Sequence, residues 1–63
     1  MKKYVVVVEK IEMKELFEAL CEAKNVDFML RRGTETIYYV WCNEEVWNDF
    51  KEINCLATLG EAD

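Results

Sequence analysis

Residues 26–42 read VDFMLRRGTETIYYVWC, and this stretch decides the fold class of the chain. β-Branched and aromatic residues are concentrated on both sides of Gly33, most of all in the segment IYYVW at 37–41. Two such runs separated by a short glycine-containing segment are typical of a β-hairpin. We therefore predict strands at 26–32 and 34–42, joined by a turn around Gly33.

The hairpin loop can consist of two residues, either Arg32-Gly33 or Gly33-Thr34. Both loops place the same side chains together on each face of the hairpin. In both registers the more apolar side, which we expect to pack against helices, carries Val26, Phe28, Leu30, Ile37, Tyr39 and Trp41. The opposite side then carries Asp27, Met29, Arg31, Thr36, Tyr38 and Val40.

The segment before the hairpin predicts a strand followed by a helix. Four consecutive valines at 5–8 lie in a run too short for a buried helix, which indicates a strand over 3–9. From Ile11 to Lys24 the apolar residues recur every three or four positions, as on one side of an amphipathic helix. Asparagine adopts the left-handed backbone conformation readily, so we expect the helix to end at Asn25.

The segment after the hairpin predicts a second helix. Asn43 is a favourable N-cap, and Glu44 and Glu45 suit the positive end of a helix dipole. An apolar stripe continues to Ala57, and Gly60 is the expected stop signal. The predicted order of elements is therefore strand, helix, strand, strand, helix.

This order of elements limits the topology. A strand, a helix and a further strand favour a right-handed parallel crossover, and the hairpin adds a third strand antiparallel to the second. With the third strand between the other two, we expect an α+β fold with a three-stranded sheet in the order 1-3-2 and both helices on one face. It resembles a ferredoxin-like fold that lacks its last strand. No proline or low-complexity linker interrupts the sequence, so we expect one domain over residues 1–63.

The charge and composition exclude several classes of function. Thirteen acidic against eight basic residues give a net charge of −5, which disfavours binding to nucleic-acid phosphates. No apolar run approaches the ~20 residues of a membrane span, and the run at 4–8 is too short for a secretory signal. Cys21, Cys42 and Cys55 are odd in number and widely spaced, so we expect reduced thiols, a cytoplasmic location and no metal site.

The usual residues of catalytic chemistry are also missing. The sequence contains no histidine, no serine and no glycine-rich phosphate loop. Its carboxylates are numerous but are expected to be solvated, whereas a general acid needs a pKa raised by burial or by a nearby like charge. We therefore predict a non-enzymatic protein that needs no cofactor.

Two surfaces remain as candidates for binding another macromolecule. An acidic layer is expected on the sides of the two helices that face away from their apolar stripes, formed by Glu12, Glu15, Glu18, Glu22, Glu44, Glu45, Asp49 and Glu52. An exposed apolar patch is expected on the sheet side that faces away from the helices, formed by Val5, Val7, Met29, Tyr38 and Val40. Without a fourth strand, the first strand is also expected to be an edge strand that is open to pairing with another copy.

These surfaces lead to two functional hypotheses. The acidic layer favours a small protein that blocks a basic surface of a nucleic-acid-binding enzyme, as phage-type inhibitors of host defence do. The apolar sheet side favours instead a structural or regulatory module that assembles as a homodimer. In both cases the expected partner is a protein, with no direct contact to nucleic acid or to a membrane.

Overall fold

The computed structural model describes residues 1–62, and within this range it contains two α-helices and a four-stranded antiparallel sheet. The helices and strands are β1 (Lys2–Val8), α1 (Lys14–Ala23), β2 (Asp27–Leu30), β3 (Ile37–Cys42), α2 (Glu44–Lys51) and β4 (Leu56–Glu61). A short 3-10 turn at Ile11–Met13 leads into α1. The α+β class expected from the sequence is confirmed.

Both helix boundaries that depend on an asparagine are confirmed. Asn25 lies just beyond the end of α1 with a φ of 56°, a left-handed conformation that asparagine tolerates better than most residues. Asn43 precedes α2, and its Oδ1 accepts a hydrogen bond from the backbone N–H of Val46 at 2.9 Å. Local side-chain chemistry therefore determines where α1 ends and where α2 begins.

A fourth strand corrects the predicted sheet. Residues 56–61, expected in part as the end of the second helix, form β4 and pair antiparallel with β1. The sheet order is β2-β3-β1-β4, so the three-stranded sheet in the order 1-3-2 is wrong, and β1 is not an edge strand. β4 satisfies backbone N–H and C=O groups that an edge position of β1 would leave unpaired.

The segment between α2 and β4 also differs from the prediction. α2 ends at Lys51, and in the turn that follows the N–H of Leu56 donates to the carbonyl of Ile53 at 3.2 Å. Gly60 is not a helix stop. Its φ of 113° lies in the region that favours glycine, and it pairs with Val5 where the register between β1 and β4 shifts.

The loop between β2 and β3 is longer than predicted and covers residues 31–36. The carbonyl of Arg31 accepts hydrogen bonds from the N–H of Thr34 at 3.1 Å and from its hydroxyl at 2.8 Å. Gly33, at the third position of this turn, has a φ of 82°, which a residue with a side chain adopts only with strain.

The longer loop shifts the pairing so that the side chains of β3 exchange faces, whereas those of β2 keep the predicted ones. Phe28 pairs with Val40, instead of with Ile37 or Tyr39 as the shorter loops require. The side of β3 that carries Ile37 and Tyr39, predicted to face the helices, faces away from them. Tyr38 and Val40 occupy the core side instead, where both are 0% exposed.

One side of the sheet packs against both helices and forms the core. Its buried side chains are Tyr4, Val6, Val8, Phe17, Cys21, Val26, Tyr38, Val40, Cys42, Trp47, Phe50 and Leu56. The ring of Phe17 on α1 lies 4.8 Å from that of Tyr38 and 5.8 Å from that of Phe50 on α2. Trp47 stacks on Tyr4 with ring centroids 4.2 Å apart. Burying a large apolar side chain contributes about 1.5–3 kcal/mol, so these contacts hold both helices on the same side of the sheet.

Candidate interaction surface on the open sheet face

The side of the sheet opposite the helices, called the open face below, is covered by neither helix. Its side chains alternate along the strands with the buried ones and are Lys3, Val5, Val7, Asp27, Met29, Ile37, Tyr39, Trp41, Ala57 and Leu59. Met29 is 50% exposed, whereas the aliphatic and aromatic side chains of β1 and β3 partly cover one another. Only Lys3 and Asp27 among these residues are charged, so the open face is largely apolar.

Antiparallel pairing arranges the open face in three rows that cross the strands. The first row is Asp27-Trp41-Lys3, the second is Met29-Tyr39-Val5, and the third is Ile37-Val7-Ala57. The two charged residues therefore lie in the first row, one on each side of Trp41. The second and third rows form a continuous apolar surface.

Lys3 lies over the aromatic side chains of the open face. Its Nζ is 4.2 Å from the ring centroid of Tyr39 and 5.9 Å from that of Trp41. An ammonium group at such distances is attracted by the π-electrons of the ring, by about 0.5–1 kcal/mol at an exposed site. This contact explains why Lys3 is half-buried on a face that neither helix covers.

The open face contains only part of the patch predicted from the sequence. Val5, Val7 and Met29 lie on it. Tyr38 and Val40 are fully buried in the core, so their assignment to an exposed patch is wrong. In their place β3 contributes three residues that the sequence pattern assigned to the core: Ile37, Tyr39 and Trp41.

The acidic layer is the second candidate surface, and the structure leaves most of it exposed. Seven of its eight predicted carboxylate residues are exposed: Glu12, Glu15, Glu22, Glu44, Glu45, Asp49 and Glu52. Asp49 accepts a hydrogen bond from Lys24 Nζ at 3.4 Å and forms an ion pair with it. Such an exposed pair contributes little to stability. It involves one of the seven exposed carboxylates, so the layer remains acidic.

Glu18 differs from the other members of the predicted layer because it is half-buried. Its Oε2 accepts a hydrogen bond from the hydroxyl of Tyr38 at 2.6 Å. Burial, followed by the hydrogen bond to Glu18 and the negative charge of that residue, raises the pKa of Tyr38 above its ordinary value. Glu18 therefore joins α1 to β3 and is less exposed than the other seven residues of the acidic layer.

The two buried thiols are poor nucleophiles in this environment. Burial raises the pKa of Cys21 to about 12 and raises that of Cys42 above its ordinary value. Both groups stay protonated at neutral pH, whereas the thiolate is the reactive form. Within residues 1–62, no group of three or more His, Cys, Asp or Glu side chains is placed to hold a metal ion.

An apolar hollow lies between α1 and the segment that leads into β4. It has a volume of about 180 Å³ and is lined by Met13, Leu16, Phe17, Leu20, Ile53, Cys55 and Leu56. Leu16 is 64% exposed beside it. A hollow of this size is smaller than typical small-molecule sites, which enclose ~300 Å³ or more.

No protein-family model, curated protein or solved structure matches this chain. Neither helix in the described range is long and apolar enough to cross a membrane. Function is therefore inferred from the two surfaces described above.

Proposed function

We propose that this chain is a non-enzymatic protein-binding domain that associates with a second copy of itself through the open face. The observation that carries the proposal is the apolar surface formed by the second and third rows on the side of the sheet that the helices leave uncovered. Contact with another apolar surface would remove this area from water, which is favourable in proportion to the area buried.

The size of the open face supports this proposal. Four strands spaced ~4.8 Å apart and about six residues long at ~3.3 Å per residue give a face of roughly 400 Å². Exposed apolar patches of this size on small proteins often mark an interaction site. A short chain also buries a small fraction of its surface when it folds alone, and oligomerisation is a common way to offset the resulting low stability.

The topology leaves one side of the sheet free for the proposed contact. The order of elements and strands resembles a ferredoxin-like fold, in which two helices cover one side of an antiparallel sheet. A fold by itself does not imply a function, so the support comes from the side chains on the uncovered side. The proposal includes a reducing, cytoplasmic compartment, because Cys21, Cys42 and Cys55 are free thiols in the structure.

Sedimentation equilibrium over a range of protein concentrations tests the proposal. We expect a monomer–dimer equilibrium with a dissociation constant on the order of micromolar, because the face is smaller than the ~800 Å² per partner of a standard stable interface. Val7→Lys, in the third row, should shift the protein to the monomer while near-UV circular dichroism stays unchanged.

Leu16→Lys is the matched control, because it places the same charge on an exposed leucine on the helix side. It should leave the dissociation constant unchanged. A wild-type protein that stays monomeric at all concentrations, or a dimer that Leu16→Lys dissociates and Val7→Lys does not, would contradict the proposal.

The exposed carboxylates of the acidic layer support a second candidate function, which is capture of a basic protein surface such as that of a nucleic-acid-binding enzyme. The seven exposed residues lie on a chain with a net charge of −5, so they favour a positively charged partner. A combined Glu12→Lys, Glu15→Lys and Glu22→Lys variant should lose capture of such a partner from native lysate without a change in its own oligomeric state. Unchanged capture by this variant would refute the role of the acidic layer.

A further inference from the structure

The geometry points to one arrangement of the proposed dimer: two copies stack open face to open face around a twofold axis that runs along β3, with Lys3 of each copy paired with Asp27 of the other. This inference rests on the proposed self-association. It adds the register of the two copies and the residues that specify that register.

The first row carries the charges that select this axis. Lys3 on β1 and Asp27 on β2 both pair with Trp41 of β3, so they lie on opposite sides of it. A twofold rotation about an axis along β3 keeps each row over the same row and exchanges the β1 side with the β2 side. Lys3 of one copy then faces Asp27 of the other, and the symmetry makes this pair twice.

The pair of Lys3 and Asp27 also reduces the cost of burying the Lys3 ammonium group in a face-to-face contact. Lys3 leans over Tyr39 and Trp41, so its ammonium group would be enclosed between the two sheets. A charge taken out of water is costly unless an opposite charge accompanies it. Packed sheets lie ~10 Å apart, a gap that a lysine and an aspartate side chain can span together.

Other twofold axes in the plane of the face leave Lys3 without an opposite charge or bring like charges together. An axis perpendicular to the strands exchanges the first and third rows, which places Lys3 against the apolar Val7. An axis at about 45° to the strands gives the orthogonal type of sheet packing and brings either two Lys3 or two Asp27 side chains together. Charge complementarity therefore favours the axis along β3, in which the strands of the two sheets are aligned.

Charge reversal tests the register. Lys3→Glu places two like-charged pairs in each dimer, and Asp27→Lys does the same with the opposite sign. Each single variant should raise the dissociation constant, measured by sedimentation velocity, at least ~10-fold. Lys3→Gln and Asp27→Asn, which remove the charge and keep a polar side chain, should each raise it several-fold and provide a second measurement if a reversal variant folds poorly.

An equimolar mixture of Lys3→Glu and Asp27→Lys is the decisive sample. In the heterodimer, Glu at position 3 faces Lys at position 27, and Asp27 of the first variant faces Lys3 of the second. Both pairs are then complementary, so the mixture should dimerise within about threefold of the wild-type affinity. Contacts within one copy cannot restore the affinity, because each copy in the mixture still carries two like charges at positions 3 and 27.

Leu59→Lys is a control for the position of the axis. Leu59 is 66% exposed on β4, which the axis along β3 leaves outside the overlap of the two sheets, so this variant should dimerise normally. Dissociation by Leu59→Lys, or no recovery in the mixture, would overturn the register. Loss of the dimer in Val7→Lys together with wild-type affinity in all charge variants would overturn the register and leave the proposed self-association standing. A monomeric wild-type protein would overturn both.

Discussion

Tyr38 brings a hydroxyl group to the edge of the core, where Glu18 accepts its hydrogen bond at 2.6 Å. Hydrogen bonds to a charged group contribute about 1.5–3 kcal/mol to stability when the groups are shielded from water. Glu18 is half-buried and can recover part of that energy from water, so Tyr38→Phe should lower the free energy of unfolding by about 1–2 kcal/mol. Urea denaturation followed by tryptophan fluorescence measures this loss.

Tyr39→Phe is the matched control for Tyr38→Phe because it removes the same atom from the next residue along β3. Tyr39 lies on the open face, so its hydroxyl can bond to water in the monomer. The control should change the free energy of unfolding by less than about 0.5 kcal/mol at protein concentrations where the chain is monomeric. Equal losses in the two variants would show that the contact with Glu18 does not stabilise the fold.

The raised pKa values of the buried groups predict a loss of stability in alkaline solution. Cys21 titrates near 9 when unfolded and at about 12 when folded, and the pKa of Tyr38 is raised from an ordinary value of 10. Above pH 9 the unfolded chain therefore binds fewer protons than the folded chain, so the free energy of unfolding falls as pH rises. Each group contributes a slope of at most about 1.4 kcal/mol per pH unit.

Urea denaturation at pH 7, 9, 10 and 11 measures this dependence. Cys21→Ala should reduce the slope between pH 9 and 11, since it removes the group whose pKa is raised to about 12. A cavity left by the substitution lowers stability equally at each pH and does not affect the slope. An identical slope in the wild type and in Cys21→Ala would contradict the prediction.

The two leucines of β4 differ in burial. Leu56 is 9% exposed and belongs to the core, whereas Leu59 is 66% exposed. Leu56→Ala should lower the free energy of unfolding by about 2–4 kcal/mol through lost burial and a residual cavity. Leu59→Ala should change it by less than about 0.5 kcal/mol. If both substitutions had the same effect, residues 56–61 would not have the orientation of β4.

The N-cap of α2 gives a second prediction for a single element. Asn43→Ala removes the acceptor of the hydrogen bond from the N–H of Val46 and should cost about 1 kcal/mol of stability. Asn43→Asp keeps an acceptor oxygen at the same place and should restore most of that loss, so the pair separates the cap from a general effect of substitution. Urea denaturation of both variants is the measurement.

These elements also show how far the sequence predicts the fold. Asn25 and Asn43 act on their own neighbours, so the sequence predicts both helix boundaries from local chemistry alone. The prediction of helix beyond Lys51 is wrong. Ile53 and Ala57 continue a helical spacing, so the apolar pattern did not show that a strand begins at Leu56. Pairing with β1, which is distant in sequence, decides that segment.

The open face depends on a single feature of the hairpin. Both two-residue loops place the same side chains on each face, so the pattern of apolar residues does not distinguish them from the longer loop. The turn in the structure has Gly33 at its third position and a hydroxyl of Thr34 bonded to Arg31. A glycine preceded by two arginines and followed by threonine is compatible with this longer loop, which places Tyr39 and Trp41 outside the core.

At the scale of the whole molecule, the proposed dimer has the helices of both copies on its outer sides. The acidic layers then point away from the interface, so their repulsion across the dimer is weak and is further screened by salt. Self-association and capture of a basic partner thus use different sides of the molecule. A dimer with two acidic layers would bind an extended basic partner more tightly than a monomer if both layers can be engaged at once.

The proposed association also makes the thermal stability of the protein depend on its concentration. Only the folded chain dimerises, so a hundredfold rise in concentration above the dissociation constant should stabilise each copy by about 1.4 kcal/mol. For a chain of this length that corresponds to a rise of roughly 6–11 °C in Tm. Differential scanning calorimetry should show this rise for the wild type and for Leu16→Lys, whereas the Tm of Val7→Lys should not change with concentration. A wild-type Tm that is the same at all concentrations would contradict self-association, because a dimer of folded chains makes Tm rise with concentration.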